Sequence, residues 1–164
     1  MAEKGEKILA TNPNAYSNFF IEEVVEAGIV LKGTEIKSLR AQSPNLRDAF
    51  VEVISRGKGG SGAVEAWLLN AHIAPYSHGN IWNHEPLRKR KLLLHRHQIE
   101  KLFGAITQKG QSIVPTKMYL KKGMAKIELA LAKGKKKHDK RESIKKKTAD
   151  REMAKAMKRG SRGE

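Results

Sequence analysis

The last 31 residues, Gly134 to Glu164, hold 13 Lys and Arg against five Asp and Glu, with only Ile144, Met153 and Met157 as sizeable apolar side chains. Burying those three cannot offset the entropy of ordering the whole segment. Any core must therefore come from residues 1–133, the length of one ordinary domain. The chain reads as one body, 1–133, followed by a basic tail, 134–164, that is disordered when free. A cationic tail of this kind suits a densely negative partner, for which phosphate backbone is the usual source.

The formal charge of +16 divides evenly, because residues 1–133 carry 20 basic and 12 acidic side chains and the tail supplies another +8. Two electropositive regions follow, one in the body and one in the tail. With no cysteine, neither a disulfide framework nor a thiolate metal site is available. The segment MAEKGEKILATNP is too acidic and too short of apolar residues for a signal peptide, and no apolar run approaches the ~18 residues of a membrane span. The chain reads as soluble and cytoplasmic, with no membrane partner.

Residues 16–25 and 28–36 are rich in β-branched and aromatic side chains and predict two strands around a turn at Glu26, Ala27 and Gly28. TEIKSLRAQ predicts a short helical segment ended by Ser43 and Pro44. AFVEVISR (49–56) alternates at period two and AVEAWLLNAHI (63–73) does so more loosely, predicting a hairpin across GKGGSG. That loop is a poor phosphate cradle, since a P-loop needs its Gly-Lys-Ser/Thr opening a helix.

Residues 75–91 are broken by Pro75, Gly79 and Pro86 and predict an irregular loop anchored by Tyr76 and Trp82. Residues 92–110 carry Leu94, Ile99, Leu102, Phe103 and Ile106 near helical spacing and predict the one main helix. A last hairpin follows from 112–120 to 125–132 across Lys122 and Gly123. The sum is a mainly β fold, an OB-like closed antiparallel barrel of about six strands with one main helix and short helical turns. An open β-sandwich with the helix on one face is the alternative.

Six histidines raise a metal reading, but His95 and His97 stand two apart, which on a helix turns them to different faces, and no thiolate or carboxylate pair accompanies them. No nucleophile motif or nucleotide loop stands beside Glu26, Glu35 or Asp48, so no enzyme and no cofactor is predicted. The run Arg88, Lys89, Arg90, Lys91 is a stronger signal, and Lys37 with Arg40 would share one face of a short helix. On physical grounds Lys37, Arg40, Arg88, Arg90 and Lys91 are phosphate contacts. An aromatic content of 5% favours binding by shape and backbone over a single-strand stacking platform.

Four segments carry a further signal: EAGIVLKGTEIKSLR (26–40), NLRD (45–48), HEPLRKRKLLLHR (84–96) and GKKKHDKRE (134–142). In order and spacing they resemble the small protein B, or SsrA-binding, family of bacteria across nearly the whole chain. The resemblance implies an OB-like barrel that binds the tRNA-like domain of transfer-messenger RNA and accompanies it into ribosomes stalled on messages without a stop codon. It implies the ribosome as a partner, through small-subunit RNA, the decoding centre and the messenger channel. Elongation factor Tu with GTP would join through the RNA complex, and the protein would act as a monomer.

Carried over by position, Glu26 in EAG and Leu93 and His95 in KLLLH belong to the RNA face. Glu26 would accept from base or 2′-hydroxyl donors, orient a neighbouring cation, or serve only as a turn residue. Leu93 is either core or an apolar contact for an unstacked base. Lys135, Lys136, Lys137, His138, Asp139, Lys140 and Arg141 would sit near the decoding centre. Ala149, Met153, Ala156 and Met157 recur at helical spacing, so a helix induced in the channel would gather them on one side. The chain departs from the family in Asn12 to Phe19, where a basic residue and a histidine are missing, and only Asn12 is kept as an RNA contact there. Residue patterns apart from the resemblance leave open a generic basic OB-fold module that binds RNA or ribosomes without a dedicated RNA partner.

Overall fold

The computed structural model describes residues 6–56 and 63–160. In chain order the elements are β1 (Glu6–Thr11), α1 (Pro13–Asn18), β2 (Phe19–Ile29), α2 (Gly33–Ala41), β3 (Phe50–Arg56), β4 (Ala63–Leu69), β5 (Arg90–Leu93), α3 (Arg96–Lys109), β6 (Ser112–Lys121), β7 (Met124–Gly134) and α4 (Lys137–Gly160). The strands lie antiparallel in the order β1-β6-β3-β4-β5-β2-β7, and β7 also pairs with β6. The pairings thus run round a circuit of six strands with β1 added outside β6. At β3 and β6 the seam is a single register pair, Val51 with Ile113. The barrel predicted as closed is therefore only thinly joined at that seam.

Leu39, Leu46, Leu68, Ile73, Leu92, Leu102, Met118, Ile127 and Leu129 fill the interior without appreciable exposure. The β6–β7 hairpin turns through Lys122 (φ 50°) and Gly123 (φ 78°), the two consecutive positive φ values that a two-residue hairpin turn needs. Helix α3 ends at Gly110 (φ 59°), where the Gly110 and Gln111 amides donate to Ile106 and Ala105 carbonyls. The β3–β4 hairpin is present as predicted, while its GKGGSG loop lies outside the described residues.

Three local expectations are corrected. No turn forms at Glu26 to Gly28; β2 runs straight through, with Gly28 opposite both Leu93 of β5 and Lys126 of β7. A Cβ at Gly28 would lie 3.2 Å from the Leu93 Cβ, so this glycine serves close strand approach rather than a turn. The predicted helix over 92–110 begins only at Arg96, because Leu92 and Leu93 complete β5. Trp82 is not an anchor: it is 81% exposed, and the loop is held instead by Asn83, whose side chain bonds both the amide and the carbonyl of Tyr76 at 2.9 and 2.8 Å.

The tail expected to lack structure when free is drawn here as the helix α4. Lys, Arg, Glu, Ala and Met favour helix, which accounts for its form, but side chains from Ile144 to Met157 are solvent-exposed. Its tie to the body is at the root, where the Lys135 amide donates to the Asn18 carbonyl (2.9 Å) and Lys135 Nζ to the Tyr16 carbonyl (3.0 Å). Among the described residues no helix is long and apolar enough to cross a membrane.

Candidate nucleic-acid interface

Pairing of β2 with β5 brings distant segments of the sequence to one place. Along β5 side chains alternate, so Leu92 enters the core and Leu93 stands 55% exposed. Two residues on, His95 caps α3, its amide donating to Gln98 Oε1 at 3.0 Å. Across the strand pair, Glu26 projects from the outer face of β2 and Lys126 from β7. Glu26, Gly28, Leu93, His95, Gln98 and Lys126 line one open groove of about 630 Å³. The three residues carried over by resemblance, Glu26, Leu93 and His95, thus share one surface.

Glu26 is not an isolated anion. The Tyr119 hydroxyl donates to its carboxylate, and Lys126 Nζ and Lys121 Nζ lie 3.7 and 4.0 Å away. Burial first, and then the bond to Glu26, push the Tyr119 hydroxyl well above its ordinary pKa, keeping it a donor. Glu26 thus accepts one hydrogen bond, from Tyr119, and lies within ion-pair range of two lysines. His95 and His97 do not diverge as predicted: because His95 is extended rather than helical, their rings stack with centroids 5.7 Å apart and planes 11° apart.

Two predicted phosphate contacts are corrected. Arg90 is fully buried, with Nε on Glu35 Oε1 (2.8 Å), Nη1 on the Ala71 carbonyl (2.6 Å) and Nη2 on the Pro86 carbonyl (3.0 Å). Arg88 bonds the same carboxylate, Nε to Oε1 at 2.8 Å, and its side chain is 20% exposed. The run of four cations reads from sequence as a phosphate-contacting surface because nothing marks its alternation, yet Arg88 and Arg90 point inward to Glu35 while Lys89 is exposed and Lys91 is half exposed. Lys91 bonds Glu65 at 2.7 Å. Lys37 and Arg40 are exposed on α2, with Lys37 Nζ 5.8 Å from the Tyr76 ring centre.

Asn12 is also corrected. It is buried, its side-chain amide donates to the Pro115 carbonyl (2.9 Å), and its oxygen caps α1 by accepting from the Asn14 amide (3.0 Å), so it presents no surface to RNA. In the tail, Lys135 packs over the Phe20 ring at 4.9 Å, and Asp139 caps α4 by accepting from the Lys136 amide at 3.1 Å. Lys136 and Arg141 are exposed, Lys140 is half-buried, and the side chains of Lys137 and His138 lie outside the described part. Met153 and Met157 are exposed with Ile144. Lys126 and Gln98 are not picked out from sequence; alternation in AKIEL (125–129) is the available sign that Lys126 faces outward.

Fold and groove together define a small basic, barrel-like β fold with an open surface groove and a cationic helical extension. A family model described as SmpB protein matches residues 9–159. The chain is 51% identical over 158 residues to the SsrA-binding protein of Thermoanaerobacter pseudethanolicus, covering 96% of each. It is 54% identical over 158 residues to that of Geobacter sulfurreducens, covering 96% of this chain and 98% of the other. A solved chain described under "tmRNA-SmpB: a journey to the center of the bacterial ribosome" superposes with a TM-score of 0.62 at 42% identity, covering 84% of this chain and 95% of that one. The chain belongs to the SmpB protein family.

Proposed function

We propose that this protein binds the tRNA-like domain of transfer-messenger RNA through the groove of Glu26, Leu93, His95 and Lys126, and carries it to stalled ribosomes for trans-translation. The convergence of those side chains on one surface is the observation that carries the reading. Leu93 offers an apolar contact to an unstacked base, His95 a stacking face, and Lys126, steered by Glu26, a phosphate contact. The protein acts as a cytoplasmic monomer and a binding factor, not a catalyst, and meets elongation factor Tu with GTP through the RNA complex.

Body and tail divide the work. A stalled ribosome without message beyond the decoding site has an empty channel walled by RNA, and α4 enters it, with counterion release as each Lys or Arg meets phosphate. Lys136, Lys137, His138, Lys140 and Arg141 lie toward the decoding centre, with Met153 and Met157 further along. Message occupying the channel excludes the tail, so vacancy is sensed by occupancy.

The test is binding of the full chain and of a chain ending at Lys133 to the tRNA-like domain with bulk tRNA as competitor, alongside tagging of a stalled nascent chain. Selective binding by both, with tagging only by the full chain, supports the two-part reading. Equal binding of all RNAs by both favours a generic basic module instead.

A further inference from the structure

The loop between Ala74 and Arg90 is tightly built yet displays its largest side chains to water. Asn83 clamps Tyr76 from both sides, and the Tyr76 carbonyl also accepts from the Gly79 amide at 2.9 Å. A Cβ at Gly79 would fall 2.6 Å from the Asn83 side chain, and Asn80 sits at φ 45°, in the left-handed region that asparagine tolerates, so this backbone shape suits glycine and asparagine at those positions. That shape leaves Ile81 87% and Trp82 81% exposed. Apolar groups of that size are normally buried, and here no described residue folds over them.

The surroundings of the tip are cationic. Helix α2 holds the loop on either side of the tip, Ser38 Oγ bonding the Ala74 carbonyl at 2.6 Å and Thr34 Oγ1 lying 3.0 Å from His84 Nδ1. From α2, Lys37 covers Tyr76 where the tip emerges, with Arg40 one turn on. Lys37, Arg40 and Lys89 are exposed, against Glu85 as the single acid of residues 75–91. An exposed indole on a loop flanked by exposed lysine and arginine matches an unpaired nucleotide, base on the ring and phosphates on the cations. An apolar protein partner would have to bury those charges.

Continuity identifies the RNA. The loop feeds directly into β5 and α2 follows directly from β2, the two strands that bring Leu93 and Glu26 to the groove. At ~3.3 Å per residue, Leu93 lies about 10 Å along the strand from Arg90, where the loop ends. We propose that Trp82, backed by Ile81, stacks on an unpaired base of the same RNA that occupies the groove, with Lys37 and Arg40 holding the flanking phosphates. This extends the proposed function and rests on it.

The chain has two tryptophans, so Trp67→Phe leaves Trp82 as its only indole. In that background, adding the tRNA-like domain should quench the fluorescence with the same midpoint as binding measured by filter retention. In the full chain, Trp82→Ala should weaken binding roughly 5- to 150-fold, the span for losing one base-stacking aromatic, with an unchanged salt slope. Trp82→Phe should retain most of the affinity.

If Trp82→Ala binds as tightly as the parent while Leu93→Ala does not, this proposal falls and the groove reading survives. If neither variant nor Lys126→Ala weakens binding, both fall. Quenching that requires small ribosomal subunits or a protein, and is absent with the tRNA-like domain alone, overturns the assignment and makes the tip a contact for that partner.

Discussion

Arg90 Nε and Glu35 Oε1 stand 2.8 Å apart, with neither side chain exposed at all. Glu35 also accepts from both Arg88 and the Lys32 amide, so one carboxylate ties α2 to the approach and start of β5. That tie positions the two elements carrying the exposed cations Lys37, Arg40 and Lys89. Removing Glu35 leaves the buried Arg90 without a counter-charge, at about 3–5 kcal/mol. Glu35→Gln should lower urea-unfolding stability by that order, and Arg90→Met by less, because Arg88 and the Lys32 amide still bond Glu35. The salt slope of RNA binding by the folded Arg90→Met protein should stay unchanged, since Arg90 meets no phosphate.

The same carboxylate sets an acid dependence. Burial acts to raise the Glu35 pKa, but bonds from Arg88 and the Lys32 amide, with the charges of Arg90 and Arg88, outweigh it and hold it below the ordinary 4.5. A carboxyl lowered on folding stabilises fully above its unfolded pKa, and that stability is lost as pH falls through the folded value. Unfolding stability should decline as pH drops below about 4.5, and Glu35→Gln should show a shallower decline over the same range.

Much of the fold was legible because alternation and turn chemistry are local. Lys122 and Gly123 announced a hairpin and formed one. Gly28 misled because glycine marks both turns and places of close strand approach, and only the partner Leu93 decides between them. Strand β1 left too short a pattern to read. At the interface, the resemblance supplied Glu26, Leu93 and His95, whereas composition led to Arg90 as an exposed cation. Burial of Arg90 depends on Glu35 and three carbonyls contributed by Ala71, Pro86 and Arg88, a pairing that no local pattern encodes.

Leu93 and Lys126 line the groove for different physical reasons, and salt separates them. Leu93→Ala should weaken binding to the tRNA-like domain about tenfold at every salt concentration. Lys126→Ala should weaken it most at low salt and reduce the slope of log affinity against log salt by about 1. Leu93 is half exposed, so its substitution should leave thermal unfolding nearly unchanged. Filter binding over a salt series would check both.

Lys135 fastens the root of the tail through the Tyr16 carbonyl, Ser143 Oγ (3.2 Å) and the Phe20 ring, while its amide holds Asn18. Lys135→Met keeps the stem but loses the side-chain bonds. Amide exchange over residues 137–143 should speed up while β7 amides remain protected. RNA affinity should fall by no more than one phosphate contact, and tagging of stalled chains should fall further, because the tail's direction is lost.

Helix α4 has no buried side chain among its described residues, and Arg151, Lys155 and Arg159 follow one another at four-residue spacing. Each like-charge pair at that spacing costs a helix ~0.2–0.5 kcal/mol. At four-residue spacing only Glu142 with Lys146 offers the favourable order of acid before base, and at three-residue spacing Glu142 with Lys145 and Glu152 with Lys155 do. Held by propensity alone, the helix should be frayed in the free protein, with near-unprotected amide exchange over residues 145–158. Phosphates supply the missing counter-charge, so poly-anionic RNA or vacant small subunits should raise both protection and helical circular dichroism, and high salt should reverse the RNA-dependent gain. Strong protection of those amides without RNA would instead make α4 a preformed rod, and channel entry would then need no folding step.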